Sequence, residues 1–172
     1  ESAAAQVREK TPNIVFLCSP NNPTGTALGL EVIEAVYEAA SETNAMVVVD
    51  EAYAEFSLAS TKSALSLLEG RQRLIVTRTM SKAFGLAGAR VGYLAAAAEV
   101  TDAIRLVRLP YHLSAVTQAT AVAALKNIDL LLAQVEDIKS QRDRIVARLT
   151  ELGLTPSVSD SNFVFFGGLE DP

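Results

Sequence analysis

Lys82 is the residue around which chemistry can be built. It stands in Thr79-Met80-Ser81-Lys82-Ala83-Phe84-Gly85, just after an apolar run, Leu74-Ile75-Val76, that predicts a buried strand. A lysine that serves solubility belongs on a charged helix face. This one lies in a Gly- and Ser-bearing turn past a strand end, where open α/β sheets bind ligands. Lysine amines form Schiff bases with carbonyl compounds, and partial desolvation or a nearby cation activates them. Thr79 and Ser81 supply hydroxyls, and Arg90, eight residues after Lys82, supplies a guanidinium; this set suits a phosphate group. A carbonyl-capturing lysine beside a phosphate site points to pyridoxal phosphate.

Two further loops carry unusual chemistry. Ser19-Pro20-Asn21-Asn22-Pro23-Thr24-Gly25 comes after the apolar run 14–18, and Asp50-Glu51-Ala52-Tyr53 after the run 46–49. If these strands and the one before Lys82 are parallel and joined by crossovers, their loops emerge on one edge of the sheet. An amide, a carboxylate, a phenol and an amine would then converge in a small-molecule cleft. Each piece has an ordinary explanation when taken singly. Asn-Pro-Thr-Gly makes a good turn, Asp50 can cap the next turn of chain, and Tyr53 can be a core residue with a satisfied hydroxyl. Matching positions at three strand ends favour the functional reading.

The scaffold beneath these loops can be read from periodicity. Residues 1–10 read as a helix, stopped by Thr11-Pro12-Asn13. Residues 14–18, 46–49 and 74–77 read as buried strands. Between the first two, residues 30–40 form a helix with Val32, Val36, Ala39 and Ala40 inward. Residues 53–60 are irregular and residues 64–68 a short helix. The run 91–95 comes after too short a connection for a helical crossover, so it pairs antiparallel with the third strand and makes the sheet mixed. Helices are predicted over 99–108, from a Ser114 cap through Lys126, and from an Asp129 cap onward. The last packs Leu131, Val135, Ile138, Ile145, Leu149 and Leu152, with Arg142 as a polar break and Gly153 closing it. Residues 162–166 are the final strand candidate. The class is α/β.

The 172 residues suffice for one domain with a core, or one domain and part of another. A net charge of −5 gives no broad basic surface, which argues against a nucleic-acid partner. Cys18, the single cysteine, has no internal partner for a disulfide, fits a reducing cytoplasm and reads as a small buried hydrophobe. No stretch reaches the length of a membrane span, so no membrane is expected as a partner. The chain starts at Glu1 and stops at Pro172 after a strand-like run, and it is expected to be a piece of a longer polypeptide.

The set Ser-Pro-Asn-Asn-Pro-Thr-Gly, Asp-Glu-Ala-Tyr and Ser-Lys-Ala-Phe-Gly-Leu-Ala-Gly-Ala-Arg-Val-Gly resembles, in order and spacing, the class I/II aminotransferases of the pyridoxal-phosphate type I fold. Arg78-Thr79-Met80-Ser81-Lys82, Leu109-Pro110-Tyr111-His112-Leu113-Ser114 and Ser161-Asn162-Phe163-Val164 are most similar to the members that act on histidinol phosphate. The resemblance implies a large-domain portion with a mostly parallel mixed sheet over residues 1–113. It implies linking helices and the start of a small α+β domain over 114–172. It implies that Lys82 holds the cofactor and moves the proton, that Asp50 pairs with the ring nitrogen, and that Asn22 and Tyr53 bond the ring 3-oxygen. Thr79, Ser81 and Arg90 would bind the phosphate.

The implied substrates are an amino donor and a 2-oxo acid, and the implied assembly is a cytoplasmic homodimer. Tyr111-His112 would be a conformational or substrate-adjacent loop, and Asn162 would lie on the substrate side of the cleft. An aromatic aminotransferase, a phosphothreonine decarboxylase and a cofactor-sensing regulator remain open on these motifs. The family's glycine-bearing phosphate loop, the partner subunit's aromatic residue and the substrate arginine are not located in these residues. The segment alone is therefore expected to turn over weakly or not at all.

Overall fold

Three β-branched runs without helical period pair side by side in the computed structural model, which describes residues 2–169. Residues 1 and 170–172, the outer ends of the expected first helix and second segment, lie outside the described residues. The sheet has four strands in the order β1 (Ile14–Cys18), β2 (Met46–Asp50), β3 (Leu74–Thr79) and β4 (Gly92–Ala96). The first three are parallel and β4 runs antiparallel to β3, the mixed sheet expected from the short connection. Gly92 opens β4 opposite Thr79, where a Cβ would lie 2.6 Å from the Arg78 carbonyl oxygen, so the approach needs glycine. Cys18 stands opposite Asp50, and Asp50 opposite Thr77, so β1 and β2 end level while β3 runs two residues further, to Thr79.

Helices α1 (Ala3–Lys10) and α2 (Leu30–Ser41) pack together on the sheet. Ile33, Val36, Ala39 and Ala40 of α2 meet Val47, Val49, Leu74 and Val76 in one core. The inward stripe is one residue off the expected one. Ile33 is buried and Val32 is 37% exposed, because 33, 36 and 40 keep the three-and-four spacing of one face and 32 falls on its flank. These helices cover only one sheet face. On the other, Ile14, Phe16 (70% exposed) and Cys18 of β1 stand open. Two expectations are corrected by this: β1 is not buried on both sides, and Cys18 is not a buried hydrophobe. A continuous apolar run reads as two-sided burial, but α1 and α2 reach only the face bearing Val47 and Val49.

After β2, the stretch expected as irregular contains a 3₁₀ turn at Ala54–Phe56, and the expected short helix is a 3₁₀ turn at Ala64–Leu67. Helix α3 (Ala98–Val107) comes after β4, then α4 (Ala115–Lys126) and α5 (Ile128–Glu151). Ser114 Oγ accepts the Thr117 N–H at 3.0 Å and caps α4 as expected. Asp129 does not cap α5. The helix begins at Ile128, so Asp129 falls inside the first turn, where its charge meets the positive end of the dipole. Of the expected stripe on α5, Val135 is fully buried while Ile138, Ile145 and Leu152 stay exposed.

Arg142 is no polar break: it is 3% exposed and donates to the carbonyls of Phe56 (2.7 Å) and Ser161 (3.1 Å). The final strand is also shorter than expected. Only β6 (Phe166–Gly167) pairs, with β5 (Thr155–Pro156), because residues 159–163 make a turn of their own. There the Ser159 and Ser161 hydroxyls both donate to the Phe163 carbonyl, at 2.6 and 3.2 Å, in place of a ladder. No helix among the described residues is long and apolar enough to cross a membrane.

Candidate active site

Thr77 and Thr79 lie two apart on β3 and so share one face. Past Thr79 the chain turns tightly. Met80 N–H donates to Val91 O at 3.1 Å, Leu86 N–H to Met80 O at 3.0 Å and Gly85 N–H to Lys82 O at 3.1 Å. Met80, Ala83 and Phe84 are buried with Tyr53, Phe56, Val91 and Val135 in a second core. Lys82 is exposed between these anchors, so the turn is fixed while the amine stays accessible. Thr79 Oγ1 accepts the Ser81 N–H at 3.1 Å and orders the turn's start. Lys82 Nζ lies 5.4 Å from the centroid of the Tyr53 ring, within cation–π range.

Tyr53 joins two strand ends. Its ring is buried in the second core, and its hydroxyl accepts the Asn22 Nδ2–H at 3.1 Å. Asn22, on the loop after β1, is exposed. Asp50, at the end of β2, accepts the Ala52 N–H at 3.2 Å and the Thr77 hydroxyl at 3.3 Å. Both bonds fall on Oδ1, so among the described residues Oδ2 keeps its lone pairs for a further donor.

Beneath this edge runs an ion network. Glu51 accepts the Ala64 N–H (2.6 Å), the Ser63 hydroxyl (2.7 Å) and two Arg78 nitrogens (3.0 and 2.7 Å). Arg78 reaches Glu55 as well, at 3.0 Å. Burial alone would depress the Arg78 guanidinium, but the bonds and charges of Glu51 and Glu55 outweigh it and raise its pKa. The network ties β3 to the segment after β2, between the residues that flank Asp50 and Thr79.

Arg90 has a left-handed backbone (φ 51°) after the 3₁₀ turn Ala87–Ala89, and its guanidinium donates to the Ala87 carbonyl at 3.2 Å. The Met80–Val91 bond brings its backbone beside the lysine turn, but its side chain bonds its own turn rather than Thr79 or Ser81. His112 borders a groove with Arg78, Tyr93, Arg105 and Arg108. Asn162 borders a different groove, against Ile138, Ile145 and Leu149 of α5.

The class I and II aminotransferase family matches residues 1–172. The chain belongs to that family. The histidinol-phosphate aminotransferase of Paenarthrobacter aurescens is 73% identical over 172 residues, all of this chain and 46% of that protein. The one from Frankia casuarinae is 63% identical over 161 residues, 93% of this chain and 41% of that protein. Among solved structures, the Sinorhizobium meliloti histidinol-phosphate aminotransferase in complex with pyridoxal 5'-phosphate superposes with a TM-score of 0.85 at 34% identity. That match covers 95% of this chain and 44% of that one. The chain thus spans about half the length of the curated relatives it matches.

As an aminotransferase segment, the chain brings Asn22, Tyr53 and Lys82 into one contact series, with Asp50 and Thr79 on the adjoining strand ends. Sequence reasoning passed over Thr77, which holds Asp50, and the Glu51–Arg78–Glu55 network. Two hydroxyls in alternation, Thr77 and Thr79, were a readable signal for the first. For the second, nothing in the spacing separates Glu51 and Glu55 from surface acids.

Proposed function

We propose that the complete protein is a pyridoxal-phosphate-dependent aminotransferase. It would move the amino group of L-histidinol phosphate to 2-oxoglutarate, a step of histidine biosynthesis, and would act as a cytoplasmic homodimer. The observation that carries this reading is the series Asn22–Tyr53–Lys82, with the Lys82 amine exposed 5.4 Å from the Tyr53 ring on a turn pinned by buried neighbours. The name carried by relatives up to 73% identical supports the substrate.

The donor set fits the cofactor: an amine for its aldehyde, a carboxylate with a free oxygen for its ring nitrogen, and hydroxyls with an arginine nearby for its phosphate. When bound, the group would supply an electron sink for the carbon that loses its proton. Lys82 would hold it and, once released as an amine, carry a proton at Nζ. Asp50, fixed by Thr77 and Ala52, would keep the ring nitrogen protonated through its second oxygen. Tyr53 and Asn22 would donate to the ring 3-oxygen. Thr79 and Ser81 would receive the phosphate at the head of the lysine turn, and Arg90 would reach it by leaving the Ala87 carbonyl. Residues 1–113 would be part of the large cofactor-binding domain, and 114–172 the linking helices and start of the small one.

Stopped-flow absorbance of the loaded complete protein with a panel of amino donors tests the proposal. L-histidinol phosphate should change the visible band with the highest efficiency. Faster reaction with an aromatic amino acid would reassign the substrate, and no response to any donor would end the amino-transfer reading.

A further inference from the structure

Asn22 and Tyr53 come from different strand ends, and one hydrogen bond joins them. A turn more than a hundred residues away supports both. Asp160 is 5% exposed. Its Oδ1 accepts the Leu58 N–H at 2.9 Å and the Thr61 hydroxyl at 2.6 Å, on the segment just past Tyr53. Its backbone N–H donates to Gly25 O at 2.7 Å, on the loop that carries Asn22. The fit at Gly25 is close: φ is +76° and a Cβ would lie 2.8 Å from Ser159 Oγ and 3.1 Å from Ser161 Oγ. Two residues on from Ser161, the Phe163 ring meets the Tyr53 ring edge-on, with centroids 5.3 Å apart and planes at 90°. Arg142 clamps the arrangement from α5 by bonding the Phe56 and Ser161 carbonyls together.

We propose that Asp160 and Phe163 are positioning residues for the Asn22–Tyr53 pair: the 159–163 turn holds the two strand-end loops in register, so that amide and phenol present a fixed pair of donors to the cofactor oxygen. The fold gives the turn this task because both loops leave the sheet at its edge, with no ladder to hold one against the other. The Ser159 and Ser161 hydroxyls, 2.9 Å apart and both turned to the Phe163 carbonyl, make the turn rigid. Phe163 acts on the Tyr53 ring, and Asp160 on the two loops that carry the pair.

This role rests on the proposed cofactor, and the experiment separates the two. In the complete protein loaded with pyridoxal phosphate, the pH midpoint of the visible absorbance change is measured for Tyr53→Phe, Phe163→Leu, Asp160→Ala and the double variant Tyr53→Phe/Phe163→Leu. A donor to the cofactor oxygen favours its anion, so losing the donor moves the midpoint to higher pH. Tyr53→Phe should raise it by about one pH unit. Phe163→Leu and Asp160→Ala should raise it by roughly half a unit, and the double variant should move no further than Tyr53→Phe. A residue that only stabilises the fold would lower the melting temperature and leave the midpoint in place. That result for Phe163→Leu, or full additivity in the double variant, overturns the proposal; Phe163→Leu serves alone if Asp160→Ala does not fold. If Tyr53→Phe itself moves nothing, the cofactor reading fails first, and the positioning role with it.

Discussion

A single amine distinguishes this segment from an ordinary α/β layer, and its chemistry can be removed without touching the fold. Lys82 is exposed on a turn held by Met80, Ala83 and Phe84, so Lys82→Ala should leave the thermal transition of the cofactor-free complete protein unchanged. The same substitution should abolish the visible band and the borohydride-trapped adduct, read by mass spectrometry. A persisting adduct would assign the cofactor to another lysine. Asp50 is a different case, because its proposed role is electrostatic and its own bonds come from Ala52 and Thr77. Asp50→Asn retains the shape and loses the charge. Cofactor binding should weaken only partly, while single-turnover proton removal slows by a factor on the order of 10²–10³. Near-normal rates would take Asp50 out of that role.

At the level of elements, the sheet was readable because strand apolarity is local. Runs such as Met46-Val47-Val48-Val49 need no partner to be recognised, and the short link from Thr79 to Gly92 already implied an antiparallel pair. What could not be read depends on contacts between distant segments. Arg142 looks like a helix-surface arginine until Phe56 and Ser161 are seen to turn their carbonyls toward it. Cys18 looks buried until α1 and α2 are found on the opposite face from it. Within the site, Asn22, Tyr53 and Lys82 were legible as loop chemistry at strand ends, whereas the side-chain engagement of Arg90 with its own turn was not.

The Glu51–Arg78–Glu55 network likewise needed three dimensions, and it can be tested as an element-level tie. Arg78→Met would leave two largely buried carboxylates without their cation and should cost about 3 kcal/mol in urea unfolding of the complete protein. The pairing raises the folded-state pKa of Arg78 above the unfolded one. Its contribution is therefore present in full below the usual guanidinium range and is lost only as pH rises through the higher folded value. The deficit should be the same at about pH 7 and about pH 9.

Across the whole molecule, apolar surface is distributed unevenly. Leu106 (88% exposed), Val107, Leu109, Tyr111 (97% exposed) and Val116 crowd the connection from α3 to α4, far above the scatter of single exposed hydrophobics on an ordinary surface. Leu113, in the same connection, is partly buried against the second core, the cluster that includes Tyr53 and Phe84, so this surface is coupled to the candidate site by a few residues of chain. A second copy of the protein seated there would bury the apolar cluster and hold the connection still. Within the proposed homodimer, Leu109→Asp places a charge in the contact and should raise the dimer dissociation constant roughly a hundredfold or more, the scale of a central interface residue. Leu109 is exposed and touches neither core, so the melting temperature extrapolated to monomer should change little. Sedimentation equilibrium over a concentration series reads the dissociation constant directly. A dimer that persists with unchanged affinity would remove this connection from the subunit contact and leave its exposed leucines and tyrosine to be covered by another part of the polypeptide.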